Sequence, residues 1–217
     1  EVGAAYCWGG GGYGQLGNGS WANQLQPVAV SGGLNFVSIA AGWYHTCGLT
    51  HAGKAYCWGW NSNGQLGDGS TTNQAVPVPV QQGSVAFKAI DGGYVHTCAV
   101  AAAGAVQCWG GNYGGSLGDG TDTERHTPVP VTGLTGVVGV AGGLVHSCAW
   151  TASGPGYCWG ANPAGQLGDG SRNWSLTPVP VSLVPRFVAM TVGPEHTCGI
   201  TDGGEVRCWG QGGSGQL

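Results

Sequence analysis

The chain has 217 residues, only 7% of them charged, with a formal net charge of −4, 46 glycines, ten tryptophans and nine cysteines. Its six basic residues, Lys54, Lys88, Arg125, Arg172, Arg186 and Arg207, are scattered along the sequence, so no basic patch supports nucleic-acid binding. No apolar run reaches the eighteen or more residues of a membrane-spanning helix, and the aromatic content with runs such as FVSIA and PVPV excludes a disordered chain.

Cys-Trp-Gly occurs at Cys7, Cys57, Cys108, Cys158 and Cys208, in steps of 50, 51, 50 and 50 residues. Such a period marks an array of similar units, here 1–50, 51–101, 102–151, 152–201 and a partial unit 202–217. A second recurrent motif, His-Thr/Ser-Cys, starts at His45, His96, His146 and His196. Short β-branched or aromatic runs alternate with glycine-rich stretches and nothing sustains a helical period, so every element is read as strand or turn. In the second unit strands are expected near 55–59, 76–80, 85–90 and 95–100, with NSNGQLGDGS as a long ordered turn. Four strands in about fifty residues is the size of one propeller blade.

Each His-Thr/Ser-Cys cysteine precedes the next Cys-Trp-Gly cysteine by ten residues, with a turn signal between them, as in Cys47-GLTHAGKAY-Cys57. A β-hairpin with a three-residue loop and left-handed Gly53 would set Cys47 opposite Cys57 at disulfide distance. The same geometry predicts Cys98 with Cys108, Cys148 with Cys158, and Cys198 with Cys208. Each bridge would stabilise its hairpin by about 2 to 3 kcal/mol, and four of them imply an oxidising compartment, secreted, extracellular or periplasmic. Two alternatives stay open. His45, Cys47 and Cys57 are three ligands of the type zinc prefers, although a fourth is missing, and the cysteines could be cytosolic thiols.

In chain order, the first unit carries the sequon Asn18-Gly-Ser20 and Trp21 in the variable stretch SWANQLQ; Arg125 and His126 fall in the counterpart TDTERHT; Arg172, Trp174 and the sequon Asn173-Trp-Ser175 fall in SRNWSLT. Exposed aromatic or arginine residues on loops are favoured binding anchors. Asp68, Asp119 and Asp169 precede glycine as turn formers; one carboxylate per loop falls short of a calcium shell. The histidines recur one per unit, forming a ring and not a cluster, so each is expected to donate a hydrogen bond to a backbone carbonyl inside the fold. No nucleophile elbow, paired carboxylates or reactive lone cysteine suggests an enzyme, and no cofactor or metal is implied.

CWGxNxxGQLGDGS, then PVPV, then AAGWYHTCGLT, DGGYVHTCAV and AGGLVHSCAW, closely resembles the regulator of chromosome condensation repeat, over the whole chain. The resemblance implies an all-β fold, typically a β-propeller of seven blades, of which about four would be present. Seven such units need about 350 residues. The partial unit DGGEVRCWGQGGSGQL repeats the opening EVGAAYCWGGGGYGQLG, the chain begins at Glu1, and Cys7 lacks an upstream cysteine to pair with, so a contiguous piece of a longer array is expected. A head-to-tail assembly sharing blades between chains is the alternative. Trp43 in Gly-Trp-Tyr-His-Thr is similar to the Gly-Trp-Arg-His-Thr of the plant ultraviolet-B photoreceptor in this family, with Tyr44 replacing the arginine and the tryptophan present in that slot once. Relatives exchange nucleotide on the GTPase Ran, inhibit β-lactamase or serve as recognition domains. The expected function is therefore a secreted protein-binding propeller using variable loops on one face. A self-assembling structural subunit, and a carbohydrate-binding propeller using Trp21 or Trp174, are the rivals.

Overall fold

Alternating side chains and left-handed glycine turns fold the chain into a series of small antiparallel sheets; the computed structural model describes residues 3–182 and 186–217. The first complete blade contains, from inner to outer strand, Ser38–Ala41, His45–Leu49, Ala55–Gly59 and Gln74–Pro79. The second contains Phe87–Gly92, His96–Ala101, Val106–Gly110 and Arg125–Pro130, and the third Val137–Gly142, His146–Thr151, Gly156–Gly160 and Ser175–Pro180. Before them Tyr6–Gly9 pairs with Gln24–Ala29, and after them Phe187–Val192, His196–Thr201 and Val206–Gly210 form a three-stranded sheet. Each complete blade thus takes its two inner strands from the end of one sequence unit and its two outer strands from the start of the next.

The strands lie within a residue or two of their expected places. The largest differences are the inner strand, Phe87–Gly92, which lies two residues later than 85–90, and the outer strand, Gln74–Pro79, which begins two residues earlier than 76. It tolerates Pro77 and Pro79 because an edge strand need not donate every backbone N–H to a neighbour. A bulge between Cys57 and Gly59 shifts its register with the preceding strand, and pairing resumes with Gly59 opposite Gln74.

Cys47 faces Cys57 across the hairpin, and the same register joins Cys98 to Cys108, Cys148 to Cys158 and Cys198 to Cys208. All four pairs are disulfide-bonded, with Cα atoms 4.1 Å apart. These bonds exclude the zinc reading at Cys47 and Cys57, since a sulfur bonded to sulfur is no thiolate ligand. The first hairpin closes as expected, with Gly53 at φ 70°, and Gly104 and Gly204 repeat it. The hairpin at Gly154 departs, because Pro155 restricts the residue before it to extended conformations.

The core lies between blades. The buried Cys47–Cys57 cystine packs with Leu66 of its own blade and with Phe87, Ile90 and Trp109 of the following blade, and the next two blade interfaces repeat the arrangement around Trp159 and Trp209. Trp58, Trp109 and Trp159 are fully buried, each removing about 200 Å² from water. Cys7 is half-buried and has no disulfide partner among the described residues; burial raises its thiol pKa.

Candidate interaction face

The segments between the third and fourth strands, 10–23, 60–73, 111–124 and 161–174, succeed one another around one face. The first three touch the outer strand of the next blade: Gly19 N–H donates to Ala75 O, Gly69 N–H to His126 O and Gly120 N–H to Leu176 O, at 2.8 to 3.0 Å. Their shape is fixed by a buried asparagine that was not singled out from sequence. Asn61 Nδ2 donates to Asp68 Oδ1 at 3.2 Å and to the carbonyls of Ser70 and Thr72 at 3.1 Å, while its Oδ1 accepts Leu66 N–H at 2.9 Å. Asn112 and Asn162 do the same with Asp119 and Asp169. Recurrence of Asn three residues after Trp in CWGxN was the available signal. In the first loop Gly11 takes the Asn slot and Asn18 the Asp slot, so both members of the pair are replaced together.

Asp68, Asp119 and Asp169 also accept the N–H two residues ahead at 2.9 Å, the turn role read from sequence. For Asp119, burial pushes the carboxyl pKa up, but hydrogen bonds from Thr121 and Arg125 and the Arg125 charge outweigh it and hold the group below its ordinary value.

Beneath this face the blades are joined by a repeated polar relay. Thr97 Oγ1 donates to Gln65 O at 2.8 Å, so it must accept from His45 Nε2 at 2.9 Å. The same carbonyl accepts Trp109 Nε1 at 3.0 Å, filling both lone pairs. His96, Ser147, Ser116 O and Trp159 repeat the unit, as do His146, Thr197, Gln166 O and Trp209. The expected direct bond from histidine to a carbonyl is therefore corrected: a hydroxyl of the next blade stands between them. The relay assigns the Nε2–H tautomer and leaves Nδ1 of His45, His96 and His146 buried with no hydrogen-bond partner among the described residues. Burial lowers the His45 pKa to about 4. Burial, reinforced by neighbouring histidine charge, lowers His96 and His146 to about 3.

The residues named from sequence are distributed along the loops and do not converge. Trp21 is 50% exposed and Trp174 61% exposed. Arg125 is held to its own loop, with its guanidinium 2.9 Å from Asp119 Oδ2. His126 lies over Gly64, where an added Cβ would come 2.4 Å from the imidazole ring, and its Nε2 is 3.1 Å from Glu124. Arg172 is exposed and lines a shallow cleft with Pro163, Glu195 and Gln211. Asn18 uses its Oδ1 to accept Ser20 N–H at 3.1 Å, whereas the Asn173 side chain is exposed.

The structure does bring together five aromatic rings that are dispersed in sequence. Tyr13 meets Tyr44 at 4.9 Å between centroids, Trp43 meets Tyr94 at 4.8 Å edge to face, and Trp60 lies 5.9 Å from Tyr44 and 6.0 Å from Tyr94. Of the five, the Gly-Trp-Tyr-His-Thr motif in the sequence points to Trp43 and Tyr44 alone. No helix among the described residues is long and apolar enough to cross a membrane.

Comparison with known proteins follows the same outline. Over 134 residues the chain is 33% identical to the ultraviolet-B receptor UVR8 of Arabidopsis thaliana, a match spanning 60% of this chain and 30% of that protein. Crystal structures of human WBSCR16 and of Prp20p from Saccharomyces cerevisiae superpose with TM-scores of 0.81 and 0.80, each at 23% identity. They match 94% and 97% of this chain, which spans 56% and 53% of theirs, about half of each longer propeller. The regulator of chromosome condensation (RCC1) repeat matches residues 3–49, 52–100, 103–150 and 154–200, and the chain belongs to that family.

Proposed function

We propose that this chain is part of a secreted, disulfide-stapled β-propeller that recognises a protein partner through its loop face. Propellers of this family are in general protein-interaction modules and typically non-catalytic, and Prp20p is described with binding to Gsp1p and histones. The observation that carries the reading is the contrast within the loops: an internally bonded Asn–Asp frame supports variable, exposed side chains, with Trp21 and Trp174 foremost. Rigid loops lose little entropy on binding. The four disulfides favour an oxidising compartment, as in secreted, extracellular or periplasmic proteins. Asn173, exposed beside Trp174, is the better candidate for glycosylation in a eukaryotic source, because Asn18 braces its own turn.

The test is capture of partners from the extracellular fluid of the source by the immobilised chain, identification by mass spectrometry, and measurement of Kd with the purified partner. Trp21→Ala with Trp174→Ala is expected to weaken that Kd by about tenfold or more, as loss of an aromatic anchor does. A partner whose affinity ignores every loop substitution would refute the assignment of this face. Free thiols at Cys47 and Cys57 in protein from its native source would refute secretion.

A further inference from the structure

We propose that the cluster of Tyr13, Trp43, Tyr44, Trp60 and Tyr94 is a docking site for an uncharged, proline-rich segment of the partner in polyproline II conformation. This rests on the reading that the loop face binds a protein, and it specifies where and by what chemistry.

The cluster exceeds what the fold requires. The slot of Tyr44 is Val95, Val145 and Glu195 in later blades, and that of Trp60 is Gly111, Ala161 and Gln211. Trp43 and Tyr94 share a slot that continues as Leu144 and Pro194. The later junctions therefore fill these slots with aliphatic, small or polar residues, while one carries several large rings and leaves Trp43 54% and Tyr13 41% exposed. Rings kept partly in water where valine and glycine would serve are the composition of a recognition surface.

Charge narrows the ligand. The segments that supply the cluster, 10–23, 42–44, 60–73 and 93–95, contain no Lys or Arg and one carboxylate, Asp68, which is occupied by Asn61 and Ser70. Without a cation the site lacks the positive charge that dominates binding of a nucleotide, nucleic acid or other anion. The rings lie against one another at 4.8 to 6.5 Å and enclose no cage for an alkylammonium group.

Hydrogen bonding narrows it further. Trp60 Nε1 donates to Ser62 Oγ, but Trp43 Nε1 and the hydroxyls of Tyr13, Tyr44 and Tyr94 have no partner among the described residues. The platform thus offers donors beside apolar ring faces, with no open carboxylate to grip the adjacent hydroxyls of a sugar. A proline-rich segment presents the complement: pyrrolidine rings to lie on aromatic faces, and carbonyls with no internal donor.

The experiment titrates the chain with acetylated, amidated decaproline, following tryptophan fluorescence and heat, with a Gly-Ser decapeptide and neutral oligosaccharides as comparators. The test variant is Trp43→Leu with Tyr94→Leu, taken from the residue at 144; Tyr44→Val, taken from 95 and 145, is a second, and near-ultraviolet circular dichroism verifies that each is folded. Saturable binding of decaproline, absent with the Gly-Ser peptide, is expected, weakened about tenfold or more in both variants and unchanged in Trp174→Ala. No saturable binding at millimolar peptide, binding that the folded variants retain, or binding of oligosaccharide in place of decaproline would each overturn the proposal. A captured partner whose Kd depends on Trp21 and Trp174 but not on Trp43 and Tyr94 would overturn this inference while leaving the function of the face intact.

Discussion

Acidification is the sharpest perturbation of the seams between blades, because His45, His96 and His146 are fully or nearly fully buried and held neutral by the relay. Their pKa values in the fold are lowered to about 4, about 3 and about 3. An unfolded histidine takes up its proton near pH 6.5, so the unfolded chain binds more protons than the folded one over the window from about pH 6.5 to about 4. Stability is then complete above pH 6.5 and falls as the pH drops. Each histidine contributes a slope approaching about 1.4 kcal/mol per pH unit, or about 4 kcal/mol per unit for the three together. By pH 4.5 the summed loss is about 8 kcal/mol, comparable with the whole stability of a typical domain at about 5 to 15 kcal/mol. Asp91 acts in the opposite sense: burial raises its carboxyl pKa against bonds from Gly142 and Gly92, so it partly offsets the loss on acidification. The assay is urea unfolding between pH 7.5 and 4.5, followed by tryptophan fluorescence with disulfides intact. His96→Gln should reduce the slope by about a third. A stability unchanged from pH 7 to pH 5 would refute the buried, neutral state of these rings.

Two further substitutions test the relay itself. Thr97→Val removes the acceptor of His45 Nε2–H without changing shape, and should lower stability by about 1 to 3 kcal/mol, whereas Thr97→Ser should be close to neutral because Ser147 performs the same task; thermal unfolding distinguishes them. Gly93→Ala would set a Cβ 2.4 Å from the His96 ring and 2.6 Å from Gly143 O, so a loss of about 1 to 3 kcal/mol is expected, while Gly12→Ala, with nothing within 4 Å, should have little effect. Equal melting temperatures for the two glycine variants would contradict the close approach.

The hairpins and their cystines were legible because everything that defines them lies within ten residues: Cys47, Gly53 and Cys57 specify a turn and a register together. The blades were legible as a period, yet the offset by which 38–79 forms a sheet was not, since a period alone does not say which four consecutive strands share a sheet. Asn61 recurs in a quoted motif but reads as a loop residue until its burial is seen. His45 could be assigned a structural role, but its partner Thr97 belongs to the following unit. The aromatic platform was hardest to foresee: Tyr13, Tyr44 and Tyr94 come from three different blades and become neighbours only when those blades stack.

Each cystine joins two strands of one sheet, and none crosses from one blade to the next. Under tension applied along the array, the covalent links would therefore carry no load between neighbours. The seams, held by packed tryptophans and hydroxyl-bridged histidines, are the weakest links mechanically. Pulled from its ends, the protein should part first into stapled blades that keep their internal pairing, an extension in discrete steps, with each hairpin yielding only after its seam has opened.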